Sequence, residues 1–234
     1  MKGRINSFQS MGAVDGPGIR FVIFLQGCPL RCAYCHNPET WSINGGQEYS
    51  VEDVMQKILR CRPYFGEQGG VTVSGGEPLM QRKFVSELFR SLKAEGIHTA
   101  LDTSGAGSPE DAGEILNDTD LVLCDLKFPN EEGYREYCKG SLLQVISFLE
   151  LTEKRNVPLW IRHVVVPGLT DDEAKISETV RIARQYSNLE KIELLPFRKI
   201  CAVKYDTMGI PFPLAGSNDC PDGTIRRLNS LFKL

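Results

Sequence analysis

Short apolar runs recur along the chain at intervals long enough to hold one helix between each run and the next. The first, Ile19-Arg20-Phe21-Val22-Ile23-Phe24-Leu25, is rich in β-branched and aromatic residues and predicts a strand. Residues 71–73, 98–101, 121–124, 159–166 and 191–195 predict five more. Between them, Phe84, Leu88, Phe89 and Leu92 fall on one helical face, as do Ile176, Val180, Ile182 and Ala183, so both sets read as core. Ser50-x-x-Asp53 and Thr170-x-x-Glu173 predict helix starts, because a hydroxyl and a carboxylate three residues apart can cap exposed backbone amides. Strand and helix in alternation imply an α/β fold on parallel strands, with a site at the C-terminal ends of the strands. After Phe197 the alternation stops and glycine and proline accumulate. Residues 1–234 therefore predict a single domain in which residues 198–234 form a less regular C-terminal segment.

The polar motifs fall where those strands end. The loop Cys28-Pro-Leu-Arg-Cys32-Ala-Tyr-Cys35 follows the first strand, Ser74-Gly75-Gly76-Glu77-Pro78 the second, Asp102-Thr103-Ser104 the third and Asp125-Leu126-Lys127 the fourth. One pocket can collect them all. Gly75-Gly76 lets the backbone approach a ligand closely, or simply makes a tight turn. Asp125 and Lys127 lie two residues apart, so an extended backbone turns both to one face, toward the charges of a zwitterionic ligand or toward each other.

With 234 residues the chain is long enough for one sizeable core. A net charge of −3 leaves no basic footprint for nucleic acid, and no polybasic or long apolar stretch points to a membrane. Of eight cysteines, Cys61, Cys124, Cys138, Cys201 and Cys220 are scattered without the spacing of a disulfide framework. They read as packing thiols in a reducing cytoplasm.

The other three carry the chemistry. Three thiolates can hold three corners of a 4Fe-4S cluster and leave the fourth iron open to a small molecule. Parts of the loop fit other uses. Cys32-Ala-Tyr-Cys35-His36 has the spacing of a c-type haem attachment, but the opening MKGRINSFQS has no apolar core of an export signal. A structural zinc would need His36 or a distant cysteine, and no second C-x2-C pair follows. A thioredoxin-type pair leaves the third cysteine unexplained.

C-x3-C-x2-C followed by Gly-Gly-Glu resembles the radical S-adenosylmethionine (radical SAM) superfamily. Asp15-Gly16-Pro17-Gly18-Ile19-Arg20, Tyr34-Cys35-His36-Asn37, Leu101-Asp102-Thr103, Asp125-Leu126-Lys127, Trp160-Ile161-Arg162 and Val164-Val165-Val166-Pro167-Gly168 are similar to the family of pyruvate formate-lyase activating enzymes, from about Gly3 to Pro196. The resemblance implies a partial (β/α)6 barrel. It also implies a reduced 4Fe-4S cluster that cleaves S-adenosylmethionine (SAM), giving a 5'-deoxyadenosyl radical that takes hydrogen from a backbone glycine of a partner enzyme. On that resemblance Cys28, Cys32 and Cys35 hold the cluster, and Tyr34, His36, Gly75, Gly76, Glu77, Asp125, Leu126, Lys127 and Arg198 form the SAM site. Asp102, Thr103 and Asp125 surround a monovalent cation, and Asp15 and Arg162 face the partner's glycine loop. Arg198 stands in Leu195-Pro196-Phe197-Arg198 where the family commonly carries a histidine, and a solvent-facing arginine is the alternative. Residues 38–70 contain only Cys61, too few for a second cluster, so the implied partner is pyruvate formate-lyase and the electron comes from a flavodoxin or ferredoxin. A monomer is implied; another glycyl radical enzyme, or a small molecule, is the alternative substrate.

Overall fold

The computed structural model describes residues 1–234, the side chains of residues 109–111 excepted. In chain order the elements are β1 (Lys2–Gly12), β2 (Arg20–Leu25), β3 (Gln47–Ser50), α1 (Val51–Cys61), β4 (Gly70–Gly75), α2 (Arg82–Ala94), β5 (His98–Thr103), α3 (Pro109–Ile115) and β6 (Leu121–Asp125). There follow α4 (Glu131–Gly133), running into a π-helical turn over Tyr134–Cys138, then α5 (Leu142–Lys154), β7 (Leu159–Val165), α6 (Glu173–Ala183), β8 (Leu189–Pro196), α7 (Ala202–Met208) and α8 (Asp222–Phe232).

The six predicted strands pair in parallel in the order β2-β4-β5-β6-β7-β8. Two further strands, β1 and β3, add antiparallel to the free side of β2, so the sheet has eight strands and does not close. A partial barrel results. The apolar runs of the sequence did not mark β1, because one of its few buried positions is Gly3, where any side chain would meet the ring of Phe84 on α2.

The period of two along each strand separates two surfaces. Ile23, Val73, Leu101, Val122 and Ile161 face outward into the main core, against Leu88, Phe89, Phe148 and Ile176 of the helices. Burying one such side chain contributes about 1.5–3 kcal/mol, so this layer fixes the sheet as a rigid frame. The alternate positions face inward. Ala100, Leu121 and Leu123 form a small second cluster with Trp160, and above it, toward the carboxyl ends of the strands, stand Ser74, Asp102, Asp125 and Arg162.

Of the two expected helix caps, Ser50 forms a reciprocal one: Asp53 N donates to its Oγ and Ser50 N to Asp53 Oδ2, both at 3.1 Å. The other is displaced. Asp172 caps α6, accepting from Ala174 N and Lys175 N, while the Thr170 hydroxyl closes the preceding turn, accepting from Val166 N (2.8 Å) and donating to Val164 O (2.7 Å). In the C-terminal segment α7 and α8 replace the strand-helix alternation and pack back onto the cysteine loop and β8.

Candidate active site

The cysteine loop leaves β2 through Gly27 and is tied down along its length. Gly27 N donates to Thr40 O (2.7 Å), Cys28 N to Trp41 O (3.2 Å) and Cys35 N to Cys32 O (3.1 Å), while the Tyr205 hydroxyl from α7 donates to Cys35 O (3.1 Å). From the other side, Arg31 N and Ala33 N donate to Cys138 O (2.8 Å) and Tyr137 O (2.7 Å). All three loop thiols are free. Burial, with the Glu77 carboxylate and the neighbouring thiols, pushes Cys28 up to about 12, and burial with the Cys32 sulfur beside it pushes Cys35 up to about 11. Cys32 is lowered instead, by a hydrogen bond from the Cys138 thiol.

Three free sulfurs, close enough to influence one another's ionisation and held in a low-dielectric wall on a pinned loop, fit a cluster that takes thiolates and releases their protons on binding. Among the described residues no three thiol, imidazole or carboxylate groups gather tightly enough for one metal ion. A cubane spreads its ligands over three irons. His36, which a zinc site would draw in, turns its ring toward Phe197, with the centroids 6.1 Å apart.

β4 ends against the start of this loop. Gly75 has φ +107°, and a Cβ there would lie 2.2 Å from Leu25 N; at Gly76 it would lie 2.1 Å from Gly27 O. Gly76 N donates to Leu25 O and Glu77 N to Gly27 O, both at 2.8 Å. The glycines therefore serve a backbone contact with the cysteine loop. Glu77 is fully buried, and its carboxylate accepts from Leu79 N (3.1 Å), Thr103 Oγ1 (2.5 Å), Ser104 N (2.9 Å) and Ser104 Oγ (2.5 Å). It brackets the ends of β4 and β5 together. The Thr103 hydroxyl is thereby turned to Glu77, away from the Asp102 carboxylate with which it was grouped.

Four charges line the inner wall above Trp160. Lys127 Nζ donates to Asp125 Oδ2 at 3.0 Å, and Arg162 lies 3.4 Å from Asp125 Oδ1 and 3.6 Å from Asp102 Oδ2. Burial would push Lys127 down, but Asp125 and the Cys32 sulfur outweigh it and hold the ammonium well above its ordinary value. Burial would likewise raise Asp125, but Lys127 and Arg162 together hold it below the usual carboxylate range. Asp102 has only Arg162 and a hydrogen bond from Ser74 Oγ (2.6 Å), so burial wins and raises it to about 6. Asp15, half-buried, is also raised by burial, with Arg162 and Arg20 opposing. Its carbonyl is held by the Thr72 hydroxyl at 2.7 Å, and Thr72 accepts in turn from Arg20 Nε at 3.0 Å.

Leu126 is placed by its backbone: its N–H donates to Arg162 O (2.9 Å), and His163 Nδ1, 2.7 Å from Leu126 O, donates to that carbonyl. Burial lowers His163, which keeps the ring neutral. Tyr34, packed beside Phe128, donates to Lys127 O at 3.3 Å, and Tyr134 Oη accepts from Lys127 N at 3.0 Å. His36 is lowered by burial, and its Nε2 is buried without a hydrogen-bond partner. The Arg198 guanidinium does not turn inward with these groups; it donates to Cys220 O (2.7 Å) and pairs with Asp222. A cavity of about 860 Å³ opens where the amino ends of β5, β6 and β7 meet the turn before β2 and the strand β8, lined by Gly16, Pro17, His98, Trp160 and Glu193.

Among the supporting residues, Ser74 and Ser104 stand within the motifs that follow β4 and β5, while Tyr134, Cys138, His163 and Tyr205 carry no motif of their own. Tyr134 holds the nearby Lys127 N, and the other three act through partners distant in the chain.

Two outcomes follow from this geometry. Gly76→Ala forces β4 away from Gly27 and is expected to cost about 2 kcal/mol in urea unfolding and to lower the iron retained on reconstitution; unchanged stability contradicts the close contact. In cofactor-free protein Asp102 is raised from about 3.9 to about 6, so its contribution to stability is full below pH 4 and is lost as pH rises through 6. Between pH 4 and 7 the wild type is expected to lose about 3 kcal/mol relative to Asp102→Asn, and parallel pH profiles contradict the assignment.

Comparisons with known proteins identify the family. The Radical SAM superfamily model matches residues 22–180. The chain is 46% identical over 213 residues to the pyruvate formate-lyase-activating enzyme of Clostridium pasteurianum, covering 91% of this chain and 89% of the relative. It is 43% identical over 234 residues to the pyruvate formate-lyase 1-activating enzyme of Escherichia coli (strain K12), covering 99% and 95%. Among solved structures, a domain of the pyruvate-formate lyase-activating enzyme from Bacteroides vulgatus aligns with TM-score 0.58 at 21% identity, over 70% of this chain and 93% of that one. Streptococcus suis SuiB bound to precursor peptide SuiA aligns with TM-score 0.69 at 16% identity, over 91% and 44%. These two likenesses speak for the fold. The sequence identities go further, and the chain belongs to the radical SAM superfamily and, within it, to the pyruvate formate-lyase-activating enzymes.

Proposed function

We propose that this chain installs a glycyl radical in pyruvate formate-lyase, using a 4Fe-4S cluster on Cys28, Cys32 and Cys35 and SAM bound across the strand ends. The observation that carries the site assignment is the direct backbone contact of the Gly75-Gly76 turn with the root of the cysteine loop, with Lys127 held over the same loop. Held by Cys28, Cys32 and Cys35, the cluster would supply one electron to the SAM sulfonium, whose S–C5' bond would break to leave methionine and a 5'-deoxyadenosyl radical able to take a hydrogen atom from the partner's glycine. Lys127 has three N–H donors, of which Asp125 takes one, and so retains donors for the methionyl carboxylate. Gly76 offers its carbonyl to the methionyl amine. Tyr34 and His36 border the adenosyl part, where the unpartnered Nε2 of His36 is left for a hydrogen bond.

Asp102 and Asp125 form the carboxylate pair for a monovalent cation, with Arg162 already sharing their charge. Hard oxygen donors suit such an ion. Asp15 and Arg162 face the incoming glycine loop, and Asp15 stands next to Gly16 and Pro17 in the turn that leads into β2. The C-terminal segment, anchored by Tyr205 on Cys35 O and by Lys204 on Asn37 and Glu39, shields the cluster loop from water. A flavodoxin or ferredoxin delivers the electron to a monomeric enzyme. All eight cysteines are free thiols, which suits a reducing cytoplasm, and among the described residues no helix is long and apolar enough to cross a membrane.

The test is anaerobic reconstitution and reduction, addition of SAM and pyruvate formate-lyase, and electron paramagnetic resonance of the glycyl radical. A radical signal is expected, and Asp15→Asn is expected to lower its rate about tenfold while 5'-deoxyadenosine formation without partner stays near wild type. Deoxyadenosine without any protein radical contradicts the partner; equal loss of both in Asp15→Asn contradicts the role of Asp15.

A further inference from the structure

The turn that carries Asp15 is tethered by a single side chain. Residues 13–18 lead from β1 to β2, with Gly16 at φ +127° and Gly18 at φ +66°, and the ladder between the two strands ends at the pair Gly12 and Arg20. Past the turn, Ile19 O accepts from Gly70 N at 3.1 Å. Among the described residues, the only hydrogen bond made to residues 13–18 themselves is the one that the Thr72 hydroxyl donates to Asp15 O at 2.7 Å. The Asp15 carboxylate has none of its own, so its place follows from that carbonyl.

Thr72 is equipped for this by its surroundings. Val71 and Val73 face the helices, so Thr72 between them faces into the barrel, where it is fully buried. Its Oγ1 accepts from Arg20 Nε at 3.0 Å. A guanidinium only donates and a hydroxyl has one proton, so that proton is left for Asp15 O. Arg20 is itself fully buried and cannot swing away, because its other donors reach Val71 O (2.5 Å), His98 Nδ1 (3.2 Å) and His98 O (3.4 Å) at the amino ends of β4 and β5. All four contacts are neutral groups. A buried guanidinium with no carboxylate in contact is costly, and what this one does is fix three strand ends and the direction of one hydroxyl. A Cβ on Gly16 would lie 3.5 Å from Arg20 Nε and 3.7 Å from Thr72 Oγ1, so the turn rests directly on this pair.

We propose that Thr72 is a positioning residue for partner recognition, its hydroxyl aimed by Arg20 and tethering the turn so that Asp15 is already in place when the partner's glycine loop arrives. The inference rests on the reading that Asp15 faces that loop. A tethered turn loses little further freedom on binding, whereas a loose one has to be ordered by the partner. Thr72 makes no hydrogen bond to the groups assigned to the cluster or to SAM, so loss of its hydroxyl acts on the partner step.

The test compares wild type, Thr72→Val and Thr72→Ser as reconstituted enzymes. Valine keeps the shape without the hydroxyl, and serine keeps the hydroxyl. Titration calorimetry of the oxidised, SAM-loaded enzyme gives Kd for pyruvate formate-lyase, and glycyl radical formation after reduction gives KM and kcat. Thr72→Val is expected to raise Kd and KM about threefold to tenfold, the loss of one hydrogen bond, while kcat and partner-free 5'-deoxyadenosine formation stay within about twofold of wild type. Thr72→Ser is expected to bind like wild type. In an Asp15→Ala background, Thr72→Val is expected to add less than about twofold, because both act through one group. If Thr72→Val retains less iron than wild type, Thr72→Ala, which leaves space for a water at Arg20 Nε, carries the same comparison. A hydroxyl-free variant with unchanged Kd, where Asp15→Ala does weaken binding, overturns the proposal and leaves the reading of Asp15 standing; Asp15→Ala with unchanged Kd overturns both. Equal losses of partner binding and of partner-free deoxyadenosine in Thr72→Val also overturn the proposal, since they give Thr72 a role in the fold alone.

Discussion

The approach of β4 to the root of the cysteine loop governs the active end of the barrel. With hydrogen at the α-carbons of Gly75 and Gly76, Gly76 N reaches Leu25 O and Glu77 N reaches Gly27 O, and the loop starts from a fixed point. Glu77 then passes the constraint on. Three of its four hydrogen bonds hold the end of β5, so the Asp102 backbone, and through Ser74 its carboxylate, cannot drift from the loop. A buried carboxylate with all its bonds made is stable in place, and losing one partner would leave a charge with nothing to offset it.

The inner wall carries a second dependence, in its charge balance. Asp102, Asp125, Lys127 and Arg162 are two carboxylates and two cations in one low-dielectric space. Asp125 is the better paired, and Asp102 takes the cost of burial. That asymmetry matters for chemistry at the strand ends, because Lys127 is held firmly charged while Asp102 retains a proton-sensitive carboxyl. The neutral His163 ring supports this wall from behind by fixing the Leu126 carbonyl between Asp125 and Lys127.

Much of this was legible in the sequence, and the omissions have physical causes. The six parallel strands announce themselves by local apolar runs, and the motifs after them follow because parallel strands all deliver their carboxyl ends to one rim. β1 and β3 lie at an antiparallel edge with few inward apolar residues, so periodicity is weak there. At the start of α6, Thr170 and Asp172 both offer a capping oxygen, and only the turn after β7 decides that Thr170 is used elsewhere. Glu77, Thr103 and Arg198 are visible as polar residues at the right rim, but side-chain direction depends on Ser104 and Asp222, tertiary partners that no local pattern supplies. Cys138 is the extreme case, since its carbonyl accepts from Arg31 N across about a hundred residues of chain, at the end of a π-helical turn.

The account turns on a cluster that three cysteines hold and SAM completes. Its most direct test is the electron paramagnetic resonance spectrum of the reduced, reconstituted protein before and after saturating SAM. Coordination of the methionyl group at an open iron predicts a changed spectrum of the same 4Fe-4S cluster, with the change lost in Gly76→Ala. A spectrum that SAM leaves unaltered in the wild type would contradict it.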